Sequence, residues 1–128
     1  MNRADVAAWL DAYSHAWETY DPDEIGALFS ADADYFDSPY DAPVHGREAI
    51  VARWLNVRRD PPGTYRGRYE PVVVEGDQAV ANGRSQYFLP DGVTLRTEFD
   101  NLFLLRFDAS GQCSEFHEWY MERPQSKS

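Results

Sequence analysis

Asp37 is the residue in this chain best placed to move a proton. It closes a short stretch of strand character and is followed by Ser38-Pro39. An aspartate there can cap its own turn. It can equally point a carboxylate into an aromatic cavity, where desolvation raises a carboxyl pKa toward the working pH and makes a general base. Tyr13 is the second candidate. It lies on the apolar stripe of the first predicted helix, so its hydroxyl is either a satisfied core group or a donor to a developing oxyanion. Asn101 is the third, the one strongly polar side chain on an otherwise apolar strand face. It reads as a buried amide satisfied by backbone groups or as a substrate-orienting donor. His117 and Glu118 are neighbours in a strand and so face opposite sides. The alternation of that strand does not decide which of them faces inward.

Other chemistries lack their residues. His15, His45 and His117 stand far apart, and none pairs with Cys, His or a carboxylate at zinc spacing. Neither a metal nor another cofactor is expected. There is no Gly-rich phosphate loop and no G-x-S-x-G elbow. Cys113 has no obvious base and reads as a small strand residue.

The elements that must position these groups follow from periodicity. Val6, Trp9, Leu10, Tyr13, Trp17 and Tyr20 recur at helical spacing, which predicts a helix over about residues 5–20. Asp21-Pro22-Asp23-Glu24 reads as a cap, a first-turn proline and a capping box for a short second helix, with Ile25, Leu28 and Phe29 buried. Asp34 to Ser38 reads as a short strand. A third helix follows Gly46, with Ile50, Trp54 and Val57 on one face, and Pro61-Pro62-Gly63 ends that region. From Thr64 onward the period is two. Strands are predicted over Tyr65 to Glu75, Gln78 to Leu89, Val93 to Phe107 and Cys113 to Met121. They are joined by turns at Gly76-Asp77, Asp91-Gly92 and Ala109-Ser110-Gly111. Helices followed by a run of strands predict an α+β fold with an antiparallel sheet. A long curved sheet around one aromatic-striped helix leaves a cavity, the usual place for a small-molecule site.

Composition narrows the partners. The chain's 128 residues suit one domain, expected over residues 1–123, with a disordered tail over residues 124–128. A net charge of −10 argues against nucleic acid and against an anionic membrane surface. No apolar run is long enough to span a membrane, and the acidic N-terminal segment does not resemble a signal peptide. A single cysteine forms no intrachain disulfide. A soluble, cytoplasmic protein is expected. Aromatic residues make up 15% of the chain, enough to line a pocket as well as a core.

The stretch Ile25 to Asp37, I-G-A-L-F-S-A-D-A-D-Y-F-D, with Gly46, Ile50 and Trp54 beyond it, resembles the ketosteroid isomerase branch of the nuclear transport factor 2-like and SnoaL-like superfamily. The resemblance implies a cone-shaped α+β barrel, with N-terminal helices packed in a curved antiparallel sheet. It puts Asp37 on that family's general base and Tyr13 on its oxyanion tyrosine. Trp54 falls where the family has a second tyrosine, and Phe103 where it has a protonated aspartate. It turns Phe116, Glu118 and Tyr120 inward and His117 and Trp119 outward. The function implied is cofactor-independent acid/base chemistry on a small hydrophobic carbonyl or hydroxyl compound. Isomerisation, aldol-type cyclisation, dehydration and epoxide opening all fit. Asp37, Tyr13 and Asn101 would be catalytic. Trp17, Tyr35, Trp54, Phe99, Phe103, Phe116, Glu118 and Tyr120 would hold the substrate. The alternative is a non-catalytic binding or dimerisation module. Under either reading, apolar residues on the other sheet face, Leu102, Leu104 and Trp119, point to a homodimer through the sheet.

Overall fold

The protein is described by a computed structural model covering residues 1–57 and 60–124. Helix α1 (Arg3–Thr19) opens with a reciprocal cap. Asp5 N–H donates to Asn2 Oδ1 at 2.8 Å, and Asn2 N–H donates to Asp5 Oδ2 at 3.0 Å. It ends at Tyr20, whose left-handed backbone (φ 53°) stops further turns. Helix α2 (Pro22–Ala27) is capped by Asp21, which accepts from Asp23 N–H and Glu24 N–H. Glu24 does not close a capping box. Its carboxylate instead accepts from Thr19 Oγ1 at 2.8 Å and meets His15 Nδ1 at 2.9 Å, which ties α2 to α1.

Strand β1 (Phe29–Phe36) and the short β2 (Val44–His45) precede helix α3 (Arg47–Asn56), and Gly46 (φ 92°) makes the turn into that helix. Four long strands follow: β3 (Tyr65–Glu75), β4 (Gln78–Phe88), β5 (Leu95–Phe107) and β6 (Cys113–Glu122). The sheet order is β2-β1-β6-β5-β4-β3, and the sheet does not close. Register shifts between Pro71 and Val73, Tyr87 and Phe88, and Arg106 and Phe107 bend these strands into a cone.

The expected α+β architecture is present, with differences in its first half, where the two-residue β2 is also added. Phe29 starts β1 instead of finishing α2, and β1 ends at Phe36. The cause is pairing that local periodicity cannot display. β1 runs parallel to β6, setting Phe29 beside Cys113 and Tyr35 beside Phe116. Among the described residues, that pair is the one parallel contact in an otherwise antiparallel sheet. Residues 125–128, most of the expected tail, lie outside the described residues.

The core sits between α1 and the concave face. Val6, Leu10, Tyr13 and Ala16 of α1 are buried against Phe103, Leu105, Phe107 and Phe116. Rings interlock there: Tyr13 stacks on Phe116 at 5.6 Å and meets Phe103 edge-on at 5.3 Å. Two glycines on the concave face make room for aromatic rings. A Cβ at Gly67 would collide with the Tyr65 hydroxyl, and one at Gly83 with the Tyr69 ring.

Candidate functional site

Past Tyr13 the helix no longer fills the cone. A cavity of about 800 Å³ opens there. Its walls come from the end of α1 (Trp17), from β1 (Tyr35), from α3 (Arg53, Trp54), and from the inward positions of β3 to β6 (Tyr65, Tyr87, Phe99, Glu118, Tyr120). Such a volume suits a small organic molecule.

Seven of the residues expected at the site line this space: Asp37, Trp17, Tyr35, Trp54, Phe99, Glu118 and Tyr120. Tyr13, Phe103 and Phe116 lie behind the lining, in the packed core. Asn101 borders an adjoining groove of about 640 Å³ that also reaches Glu118 and Tyr120. His117 faces the other side of the sheet, stacked on Phe36 at 4.2 Å and bonded to Glu115.

The two carboxylates that matter have different surroundings. Asp37 sits at the rim. Its Oδ2 accepts from Arg53 Nη2 at 2.8 Å, and its side chain keeps 26% exposure. Glu118 sits on the wall, partly exposed toward the cavity. Protein packed around it excludes enough water to push its pKa up to about 7, and the nearby charge of Asp37 adds to the rise. Asn101 opposes it: Nδ2 donates to Glu118 Oε2 at 2.9 Å and favours the carboxylate. Asn101 Oδ1 in turn accepts from Ser85 Oγ at 3.1 Å.

Tyrosines surround this carboxyl. Burial chiefly, and the Glu118 charge next, hold the hydroxyls of Tyr13 and Tyr35 well above the usual tyrosine range. Burial pushes Tyr87 up to about 12, again with help from Glu118. Tyr65 and Tyr69, joined hydroxyl to hydroxyl at 2.7 Å, are also raised by burial. All five are neutral donors at physiological pH. Trp54 adds a further donor. Its buried Nε1–H lies near the Tyr35 hydroxyl but makes no hydrogen bond of acceptable geometry among the described residues. A desolvated carboxyl ringed by neutral O–H and N–H donors can take a proton from a substrate and stabilise the negative oxygen that results.

Sequence reasoning missed Ser85, Tyr65, Tyr69, Tyr87 and Arg53. Four of them had a signal. Tyr65 and Tyr69 on β3, and Ser85 and Tyr87 on β4, occupy the inward phase of the period-two pattern. No described group of His, Cys, Asp or Glu could hold a metal ion. No described helix is long and apolar enough to cross a membrane.

A hypothetical protein from Catenulispora acidiphila, crystallised in complex with trimethylamine, has a ketosteroid isomerase-like fold. It superposes with a TM-score of 0.68 at 20% identity, over 88% of this chain and 84% of that one. A further structure from the same organism gives a TM-score of 0.65 at 19% identity, over 91% and 89% of the two chains. At these identities the likeness is one of fold. No curated protein matches the sequence. The SnoaL-like domain family, however, matches residues 3–116, nearly the whole described length. A cone with a small-molecule cavity is what that family is built on, and this chain belongs to it as a SnoaL-like domain with a ketosteroid isomerase-like fold.

Proposed function

We propose that this domain is a cofactor-independent acid/base enzyme for a small hydrophobic carbonyl or hydroxyl compound, and that Glu118 is its working base. The carrying observation is a carboxyl on the cavity wall whose pKa is pushed up to about 7 by burial. A base poised there is half ionised near neutral pH and can both accept and return a proton. Tyr35 and Trp54, which line the cavity, are the donors closest in character to an oxyanion site, and Tyr13 lies behind them in the core. Asn101 orients Glu118, since its donor end is already spent on that carboxylate. Asp37, held by Arg53, keeps negative charge near Glu118 and so keeps its proton affinity high. Trp17, Phe99 and Tyr120 hold the apolar part of the substrate.

Glu118 removes a proton from carbon next to the substrate carbonyl, the electron pair moves onto oxygen, and the tyrosine hydroxyls stabilise the enolate. The same carboxylic acid then returns the proton at that carbon or at a conjugated one. The test is deuterium uptake from D₂O by a panel of enolisable ketones, followed by proton NMR. Glu118→Gln should slow exchange by roughly 10²–10⁴-fold, while Asp37→Asn should keep most of it. Equal exchange by Glu118→Gln and the unaltered protein would overturn the assignment.

A second reading has one observation in its favour. The Catenulispora protein of the same fold holds trimethylamine. An ionised Glu118 among the rings of Trp17, Tyr35, Tyr87 and Phe99 would also suit a small ammonium ion without any catalysis. Calorimetry with trimethylammonium separates the readings. Binding lost in Glu118→Gln, with no deuterium exchange for any ketone, would favour the binding module.

Under either reading we place a second copy on the outer sheet face. Leu102, Leu104 and Trp119 are each about 40% exposed there, beside a shallow recess lined by Val73, Val80 and His117. Sedimentation should show a dimer that Leu104→Glu dissociates. The lone, buried Cys113 suits a reducing cytoplasm.

A further inference from the structure

A hydrogen bond from the Asn101 side chain favours the charged form of Glu118, and it depends on which way Asn101 points. An amide can face a carboxyl with either end. Presenting Nδ2 donates to a carboxylate, and presenting Oδ1 accepts from a protonated acid. The choice is made one strand away, where Ser85 Oγ–H donates to Asn101 Oδ1 at 3.1 Å. Asn101 in turn donates to Glu118 at 2.9 Å.

The three residues form a diagonal across β4, β5 and β6. Asn101 pairs with Gly83 on one side and Tyr120 on the other, and Ser85 and Glu118 each stand two residues from those partners. Diagonal neighbours of this kind are within side-chain reach. Gly83, directly opposite Asn101, has no side chain with which to compete for the amide. Ser85 is 3% exposed and Asn101 7%, so bulk water does not replace the serine hydroxyl. A buried amide with both ends engaged has one orientation.

We propose that Ser85 is a positioning residue of the cavity: by holding Asn101 Oδ1 it locks the amide with Nδ2 toward Glu118, and so sets the protonation state in which Glu118 meets its ligand. The inference rests on Glu118 being the working carboxyl of the site. It is read on the free protein, with no substrate present. The other groups facing Glu118 are Tyr13 of α1, Tyr35 of β1, Asp37 at the rim with its partner Arg53 of α3, Tyr65 and Tyr69 of β3, and Tyr87 of β4. None of these holds the Asn101 amide in place.

The experiment is a carboxyl-carbon NMR titration of Glu118 in the full chain, in Ser85→Ala, Asn101→Leu, the double variant and Ser85→Thr. Ser85→Ala should raise the Glu118 midpoint by about one pH unit. Asn101→Leu should raise it at least as far. The double variant should move no further than Asn101→Leu, because the effect proposed for Ser85 runs through that amide. Ser85→Thr keeps the hydroxyl and should return the midpoint to its original value. If Ser85→Ala does not fold, Ser85→Cys makes the same test with a weaker donor. An unmoved midpoint in Ser85→Ala, or additive shifts in the double variant, would overturn the proposal. These shifts together with no deuterium exchange in any ketone would instead sink the enzyme reading alone.

Discussion

The same two strands build a packed end and an open end, and the two ends are furnished differently. At the packed end, Phe107 of β5 is 3% exposed and meets Trp9 of α1 edge-on at 5.6 Å. At the open end, Phe99 lies on the same face of β5 and its ring meets two other wall residues, Tyr87 at 5.9 Å and Tyr120 at 5.8 Å. The alternation continues unbroken from one end to the other. What changes is the helix, because α1 fills the cone down to Tyr13 and then only borders it at Trp17. The cavity is therefore a stretch of core face with nothing packed against it. Polar groups enter at that point: Ser85, Asn101 and Glu118 all lie at inward positions of that stretch.

The largest effects should separate the two ends. Phe107→Ala should destabilise the fold by about 3–5 kcal/mol, because it leaves a cavity in a packed core. Phe99→Ala, which widens an existing cavity, should cost less than about 1.5 kcal/mol. Chemical denaturation measures both. Equal losses would mean that the open end is packed as tightly as the other.

A smaller effect comes from Glu118 itself. Its pKa rises from 4.5 to about 7 on folding. Between those values the native state keeps a proton that the unfolded chain releases. Stability should therefore fall as pH rises through that interval and level off above it. Glu118→Gln should remove this part of the pH dependence. It should be more stable than the parent at pH 8 by on the order of 2 kcal/mol, and about equal to it at pH 4. Thermal melts across pH check the sign. A parent protein that gains stability between pH 4.5 and 7 relative to Glu118→Gln would contradict the burial of this carboxyl.

The smallest effect tests the link between rim and wall. Removing the rim charge with Asp37→Asn should lower the Glu118 pKa by less than about one unit. A rise would contradict the electrostatic link, because losing the Asp37 charge and freeing Arg53 both favour the Glu118 carboxylate.

Much of the fold was legible because its signals are local. The stripe of Val6, Trp9, Leu10 and Tyr13, the alternation from Tyr65 onward, and the glycine turns each announce one element. The start of β1 at Phe29 was not legible, because it is fixed by parallel pairing with Cys113, 84 positions further along the chain. The site divides in the same way. Trp17, Tyr35, Trp54 and Phe99 were readable as candidate lining aromatics, and Tyr120 was turned inward by the family resemblance alone. The contrast between Asp37 and Glu118 was not. It depends on Arg53 reaching Asp37 across 16 positions and on Asn101 reaching Glu118 across 17. Both aspartate and glutamate look alike in sequence, and only their partners in space set one at the rim as an ion pair and the other on the wall as a desolvated acid.

A carboxyl-carbon titration of Glu118 in the unaltered protein, with Glu118→Gln identifying the resonance, tests directly whether the cavity holds a desolvated base. The midpoint should lie near 7. A midpoint at the ordinary glutamate value of about 4.3 would show a solvated side chain, and the cavity would lose its base.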